Sequence, residues 1–290
     1  HPESRQELKQ ELESGQLLGN TSDGKQIILL DWQPDSSVIR EIGRLREYSF
    51  RKVGEGSGKR RDLDQYDQHY KHLVLWDDRS LEMVGAYRFG DTRSILQAAG
   101  VKGLYTASLF EFDPRFEPVF EHGLELGRSF VQPQYWGSRA LDYLWQGLGA
   151  YLRHHREIRY LFGPVSISER YPRAATDLLV NFYLLYFGDE RGLVTSKNPY
   201  RIGDSEYREA AKLFTGKNFR DDLQELKLQL SQFGLTIPTL YKQYTDLCEA
   251  GGVRFLDFGV DPAFSGCTDG FILVELDRVK AQKRKRYIGE

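Results

Sequence analysis

The segment from Leu124 to Leu141, LELGRSFVQPQYWGSRAL, constrains the fold most, because a strand pattern changes into a helix pattern within it. The first half alternates like a strand, Pro133 breaks the alternation, and a helical pattern starts after Gly137. A helix that follows a glycine turn points backbone N–H groups, which carry partial positive charge, at whatever lies above the turn. The segment therefore predicts a strand, a turn suited to an anion and a helix, although caps or water satisfy such helix ends just as often.

Apolar strand-like segments alternate with amphipathic helical segments along the rest of the chain. This order predicts an α/β (α+β) fold, in which a mixed, twisted central sheet is flanked by helices. We expect one domain over residues 1–290. Its predicted parts are an N-terminal extension (1–22), a helical insertion (188–237) before a C-terminal hairpin, and a basic tail (278–290).

Composition limits the possible functions. The net charge of -2 argues against a general nucleic-acid-binding protein, which is usually strongly basic. Cys248 and Cys267 form no C-x-x-C pair, so a disulfide scaffold or a zinc site is not expected, and a reducing compartment is the simpler interpretation. No stretch approaches about 18 uninterrupted apolar residues and no signal peptide is visible, so we expect a cytoplasmic protein.

The turn resembles a motif of a known family. Residues Val131–Leu141 are similar to the acyl-donor loop V-x-P-x-Y-R-G-x-G-x-G of the GNAT acyltransferases, which holds the pyrophosphate of coenzyme A. The matching residues are Val131, Pro133, Tyr135 and Gly137. Trp136 replaces the first arginine of the motif, and Arg139 and Leu141 replace later glycines. These larger side chains leave less room for a pyrophosphate at the backbone, which favours a donor such as acyl carrier protein.

Longer segments resemble one GNAT branch, the hemolysin-like proteins and the bacterial N-acyltransferases that make ornithine and glycine lipids. The segments are ELGRSFVQPQYWGSRALDYLWQGLGAYL, YLFGPVSISERYP, LLVNFYLLYF, PTLYKQYTDLCEAGGVRFLDFGVDPAF and DGFILVELD. Enzymes of that branch transfer a 3-hydroxy fatty acyl group from acyl carrier protein to the α-amine of an amino acid. The resemblance implies a GNAT fold and this activity in aminolipid synthesis. It also implies acyl-phosphopantetheine or acyl-CoA as the donor, with no metal and no permanently bound cofactor.

The chain also resembles the acyl-homoserine-lactone synthases, in the segments LREYSF, DLDQYD, AYRFG and LELGR. The matching residues of those synthases surround the amine acceptor and the thioester. The acceptor-binding residues implied here are Arg46, Phe50, Asp64, Asp67 and Arg88. The arginines would bind the acceptor carboxylate or line the donor tunnel, and the aspartates would hold the ammonium group of the acceptor or a basic side chain. Structural ion pairs and a solvated loop are the alternatives.

Three residues are candidates for the chemical step. An amine attacks a thioester only when it is neutral, so some group must take a proton from the ammonium. We predict that Glu125 is this base, directly or through a water, because loss of solvation in a sheet crevice raises the pKa of a carboxylate. Arg128 can face Glu125 only if the strand contains a bulge, and a buried pair that merely tethers helices is the alternative. Tyr183 lies where the GNAT family often has a tyrosine that protonates the leaving thiolate, although an aromatic residue on a helix more often packs in the core.

The acyl-donor site is predicted around the strand and the turn. Backbone N–H groups from Ser129 to Val131 could stabilise the oxyanion if the strand parts from its neighbour. Ser166 could bind the pantetheine arm or cap the next helix. The predicted donor-binding residues are Ser129, Phe130, Val131, Trp136, Gly137, Ser138, Arg139, Ala140 and Ser166.

The basic segment RVKAQKRKRYIGE could contact acidic acyl carrier protein or the anionic inner face of a membrane, or it could be a solvated tail. Peripheral membrane contact would suit an enzyme with a lipid product. Three other functions stay open. They are an acyl-CoA-dependent N-acyltransferase acting on another amine, a non-catalytic module that binds acyl carrier protein or membrane, and a lysolipid O-acyltransferase. For the last of these, no aspartate follows His154 or His155 at the spacing of an H-x-x-x-x-D motif.

Overall fold

An eight-stranded sheet runs through the computed structural model, which describes residues 1–289. The strands are β1 (Gln16–Asn20), β2 (Gln26–Asp31), β3 (Lys71–Asp77), β4 (Glu82–Asp91), β5 (Phe110–Phe112), β6 (Gly123–Val131), β7 (Tyr160–Ile167), β8 (Val194–Ser196), β9 (Val253–Asp261) and β10 (Cys267–Glu275). The order in the large sheet is β1-β2-β3-β4-β6-β7-β10-β9, and β5 pairs with β8 separately. Only β6 and β7 run parallel among these strands, so the predicted mixed sheet is confirmed.

Helices cover both faces of the sheet. They are α1 (Arg5–Leu12), α2 (Ser37–Val53), α3 (Thr92–Ala99), α4 (Thr106–Leu109), α5 (Glu117–Glu121), α6 (Ala140–His154), α7 (Arg173–Phe187), α8 (Asp204–Leu213), α9 (Phe219–Gln232), α10 (Thr239–Thr245) and α11 (Ala281–Tyr287). Leu73 and Leu75 of β3 face α6, whereas Val74 and Trp76 face α2. Because alternate side chains are buried on opposite faces, the strand is apolar throughout. No helix within residues 1–289 is long and apolar enough to cross a bilayer.

The parallel strands β6 and β7 separate soon after they pair. Their ladder has three positions, of which the last joins Glu125 to Phe162. Beyond it, β6 continues along β4 as far as Val131, and β7 continues along β10 as far as Ile167. Gly163 lies where the strands diverge, and a Cβ there would overlap the carbonyl oxygen of Leu126. The two strands therefore approach closely at this glycine and then open a gap.

The structure differs from the predicted extension, insertion and tail in detail. Residues 1–22 contain α1 and also β1, which is an edge strand of the main sheet. Residues 188–237 contain α8, α9 and β8. The basic segment forms α11 along α6, where Arg286 lies 2.8 Å from the carboxylate of Asp142. Glu290, the last residue of the predicted tail and domain, lies outside the described residues.

Candidate active site

The gap between β6 and β7 opens into two adjoining cavities. The inner cavity, of about 480 Å³, lies between Arg128 and Ser129 on one side and Val165 and Ser166 on the other. The outer cavity, of about 630 Å³, extends from Ser129 to the turn at Gly137. Residues that line both are Phe50, Val53, Glu55, Ser129, Thr239 and Leu240. Together the cavities form a continuous cleft along the open edge of β6.

The turn between β6 and α6 closes the outer end of this cleft. Gly137 has a φ of +77°, a conformation that favours glycine, and a Cβ there would meet open space. The indole N–H of Trp136 donates to the carbonyl of Val131 at 2.8 Å. The Ser138 hydroxyl accepts a hydrogen bond from the Ala140 amide at 3.2 Å, where α6 begins. The first turn of a 15-residue helix thus borders the outer cavity.

Most of the predicted donor-binding residues line the cleft. The outer cavity contains Ser129, Phe130, Val131, Trp136, Gly137 and Ser138, and the inner cavity contains Ser166. Ala140 is buried at the start of α6. Arg139 points elsewhere, since its guanidinium lies 5.0 Å from the centre of the Tyr143 ring and 3.4 Å from the Asp142 carboxylate. The structure therefore does not bring Arg139 or Ala140 to the cavity walls.

A β-bulge directs Arg128 into the site. Arg128 and Ser129 lie opposite the single residue Tyr87, because Ala86 pairs with Phe130 and Arg88 pairs with Gly127. Arg128 has a φ of +52°, which residues with side chains rarely adopt. This bulge allows Arg128 to point to the same face of β6 as Glu125. Both side chains contact residues 105–106.

The guanidinium of Arg128 is held firmly at the wall of the inner cavity. It lies between the rings of Tyr105 and Phe264, 4.5 Å and 4.4 Å from their centres. Its Nε lies 3.0 Å from the Asp62 carboxylate. Stacking on aromatic faces and an ion pair both favour the charged form, so this wall of the cleft is positive.

The predicted acceptor-binding residues, apart from Phe50, form a charge cluster behind Arg128. The guanidinium of Arg88 lies 2.7 Å from Asp64 and 3.0 Å from Asp67, and that of Arg46 lies 3.2 Å from Asp67. Burial opposes ionisation, but Arg46 and Arg88 hold the pKa of Asp67 well below its usual range. These four residues do not line either cavity. They therefore would not contact an acceptor in the cleft directly, in contrast to the prediction.

Glu125 is buried next to this cluster and not in the cleft. One carboxylate oxygen accepts from the Thr106 amide at 2.6 Å, and the other accepts from the Tyr70 hydroxyl. Burial raises the pKa of Glu125. Because the side chain is only 1 % exposed and lies outside both cavity walls, it has no direct path to an amine in the cleft. The structure thus shows Glu125 tying the segment 105–106 to β6.

Tyr183 is also absent from the cleft walls. Its ring packs in the core against Tyr241 and Phe255, with centre-to-centre distances of 4.8 Å and 5.2 Å. The tyrosines that line the inner cavity include Tyr87 and Tyr244, whose hydroxyl oxygens are 2.7 Å apart. Burial raises the pKa of Tyr87 to about 12, so the hydroxyl keeps its proton.

Two carboxyl groups that line the cavities are not identified by the sequence analysis. Glu55 follows the end of α2, where its amide donates to the Phe50 carbonyl at 2.9 Å around the left-handed Gly54. Asp269 lies on β10 and accepts a 2.6 Å hydrogen bond from the Ser166 hydroxyl. Glu125 stands out in the sequence because it is a carboxylate within an apolar strand. Asp269 has the same feature. Glu55 lies in a glycine-rich loop segment that carries no comparable signal.

The chain is similar to several known proteins. Residues 45–146 match the family described as an acetyltransferase (GNAT) domain. A glycine N(alpha)-acyltransferase of Bacteroides thetaiotaomicron is 33 % identical over 99 % of this chain and 88 % of its own length. An L-ornithine N(alpha)-acyltransferase of Brucella abortus is 28 % identical over 84 % of this chain and 80 % of its own. The crystal structure of the AHL synthase LasI aligns with a TM-score of 0.42 at 13 % identity, over 92 % of this chain and 96 % of that chain.

Proposed function

The chain belongs to the GNAT-type N(alpha)-acyltransferase family that includes the glycine N(alpha)-acyltransferases, and we propose that it transfers a fatty acyl group from acyl carrier protein to the α-amine of a small amino acid. The observation that carries the proposal is the cleft between β6 and β7. One end lies at a helix N-terminus and the other at Arg128, so a phosphate and an amino-acid carboxylate each have a positive partner. Glycine is the first candidate acceptor, after the name of a relative that is similar over nearly the whole chain.

The acyl donor would enter through the outer cavity. We assign its phosphate to the Gly137–Ser138 turn and its pantetheine arm to the stretch from Val131 to Ser129, with Ser166 on the opposite strand. The wall carries the bulky side chains of Trp136 and Leu141, which favours a single phosphate over the pyrophosphate of coenzyme A. Lys52 and Arg170 are exposed beside Val53, which lines both cavities, and they offer positive charge to an acidic carrier protein.

The cleft also offers groups for the tetrahedral intermediate. Beyond Glu125, the β7-facing edge of β6 has no partner in the ladder between the two strands, so its N–H groups are available to a developing oxyanion. The hydroxyl of Tyr244, backed by Tyr87, would donate a hydrogen bond to the departing thiolate. We therefore assign to Tyr244 the role that the sequence suggested for Tyr183.

Glu125 and the charge cluster would act as positioning residues. Asp62 pairs with the guanidinium of Arg128, and Arg88 joins Asp64 to Asp67 directly behind it. Glu125 fixes the segment that carries Tyr105, one of the two rings on which Arg128 stacks. Together these contacts set the orientation of Arg128 before an acceptor binds, which limits the reorganisation needed during the reaction.

Mass spectrometry of a purified reaction tests this function. The protein is incubated with a 3-hydroxyacyl thioester of acyl carrier protein, or with the same acyl group on coenzyme A, and with glycine or ornithine. We expect an N-acyl amino acid, formed faster from the carrier protein, and no product with heat-denatured protein. The absence of an amide with every donor and acceptor, or an ester formed on added lysolipid, would contradict the proposal.

A further inference from the structure

The carboxyl groups of Glu55 and Asp269 face the cleft, and the roles assigned above leave them unused. We propose that these two groups form the amine site of the enzyme, binding the α-ammonium ion of the acceptor and taking the proton that must leave before its nitrogen attacks the thioester. This inference rests on the N-acyltransferase function proposed above. It identifies the base that the cleft itself provides in place of Glu125.

Asp269 is fixed in the wall by the sheet. It lies opposite Ser166 in the β7–β10 ladder and is 2 % exposed. The Ser166 hydroxyl is the single hydrogen-bond donor to its side chain among residues 1–289, and it engages one of the two oxygens. Asp269 lines the inner cavity, so a buried carboxylate with an unpartnered oxygen faces the space that an acceptor would fill.

Glu55 lies where the two cavities meet. Its backbone is held by the cap of α2 and by the Ser265 hydroxyl, which donates to the next carbonyl, that of Gly56, at 2.9 Å. Among residues 1–289, no hydrogen bond to the Glu55 carboxylate is found, and the charged groups that act on it are Asp269 and Arg128. Because it borders both cavities, it is next to the path of the thioester and also next to the acceptor space.

Few positive charges act on the carboxyl groups of Glu55 and Asp269. The titratable groups that act on them electrostatically are Arg128, Asp261, Tyr105, Tyr171, Tyr241 and Cys267. Arg128 is the one cation in this set, and the acceptor carboxylate assigned to it above would share its charge with Asp62. Lys52 and Arg170 also line the inner cavity, but both residues are exposed to solvent and neither acts on these carboxyl groups. An ammonium ion would therefore complete the charge balance of this end of the cleft.

The protonation behaviour of the pair suits a base. Burial, followed by the Asp269 carboxylate, raises the pKa of Glu55 to about 8. Burial raises the pKa of Asp269 to about 7, although the Ser166 hydrogen bond opposes the change. A base is most effective when its pKa lies near the working pH, whereas a carboxylate of ordinary pKa takes a proton from an ammonium poorly.

The reaction balances with this pair as base. The ammonium gives one proton to the carboxylate, and the lone pair of the neutral amine forms a C–N bond with the thioester carbon. The tetrahedral intermediate collapses, the C–S bond breaks, and the electron pair leaves on sulfur. The nitrogen sheds a second proton, which converts the thiolate to the thiol. The carboxylic acid then returns its proton to water, so an amide, a thiol and one released proton are formed.

Two substitutions test the pair, with amide formation as the readout. In Asp269→Asn and Glu55→Gln, we expect kcat with glycine to fall by about 10²- to 10⁴-fold, the usual contribution of a general base. We expect a much smaller loss with aminoacetonitrile, a glycine analogue whose amine is already neutral at pH 7. The acid limb of the pH profile of kcat should disappear in the variant that loses the base. Circular dichroism and thermal melting show whether each variant is folded.

Two further variants keep the test decisive if these do not fold. Ser166→Ala removes the hydrogen bond that opposes the raised pKa of Asp269, so the acid limb should move to higher pH. Asp222→Asn, a control, changes a buried aspartate of α9 that accepts from the Tyr186 hydroxyl at 2.5 Å, and should keep the wild-type limb. Wild-type kcat and pH profile in both carboxyl variants, equal losses with both amines, or an unmoved limb in Ser166→Ala would overturn the inference. If the wild-type enzyme forms no amide, the proposed function fails instead.

Discussion

Glu125 is the residue whose role changes most between sequence and structure. Its carboxylate accepts two hydrogen bonds inside the protein and lies outside the cleft. In Glu125→Gln, an amide N–H₂ would replace an acceptor oxygen opposite a donor. We expect the free energy of unfolding in urea to fall by about 1–3 kcal/mol, the cost of a buried unpaired donor. The pH dependence of kcat should keep its wild-type shape, and a stable variant without the acid limb would instead identify Glu125 as the base.

Asp269 predicts a pH dependence of stability that needs no substrate. Burial raises its pKa from the ordinary 3.8 to about 7 in the folded protein, so the folded state holds this proton more tightly than the unfolded state. Its contribution to stability is complete below pH 3.8 and is lost as the pH rises through about 7. The expected loss is about 1.4 kcal/mol per pH unit within this window.

Urea unfolding at pH 5 and pH 8 measures this effect. We expect wild-type protein to lose more stability between the two values than Asp269→Asn, whose side chain does not ionise. Asp222→Asn again serves as a control, because its pKa is not raised in the folded protein. Equal pH dependence in wild type and Asp269→Asn would show that the Asp269 carboxyl is not held protonated by the fold.

At the level of secondary structure, the separation of β6 and β7 is the feature that forms the cleft. A Cβ at position 163 would overlap the Leu126 carbonyl, whereas a Cβ at Gly127 on the facing strand would meet open space. We expect Gly163→Ala to lower the free energy of unfolding by about 1–3 kcal/mol, as overpacking does, and to reduce kcat by displacing β7. Gly127→Ala is the matched control and should keep wild-type stability. If Gly163→Ala were as stable as Gly127→Ala, the two strands would not approach closely there.

Some of these elements could be predicted from sequence alone, because the signals are local. Pro133 and Gly137 mark the end of β6 and the start of α6, and the alternating apolar residues mark the strands. β1 was missed, since it is a short edge strand whose Leu17 is 53 % exposed and whose pairing depends on β2. The walls of the cleft depend on where β7 leaves β6 for β10, a long-range pairing. The sequence therefore singled out Glu125 and could not show that Asp269 faces the cavity.

The charge distribution of the whole molecule predicts how a carrier protein binds. The chain has a net charge of -2, yet Lys52 and Arg170 line the cleft. In Lys52→Glu, we expect the KM for an acyl carrier protein substrate to rise by about tenfold at low salt, and by less at high salt, because screening weakens the attraction. Lys212→Glu changes an exposed lysine of α8 and should leave the KM unchanged. An identical increase in both variants would indicate a general charge effect instead of docking at the cleft.

In the proposed reaction, the thioester arm and the amine meet between the separated strands β6 and β7. A crystal structure with a non-hydrolysable amide analogue of the acyl-phosphopantetheine donor tests it most directly. We predict that the phosphate lies at Gly137–Ser138, that the arm passes Ser129, and that the acyl carbonyl carbon lies in the inner cavity near Asp269. An arm bound on another surface, with the gap between β6 and β7 filled by side chains, would contradict this account.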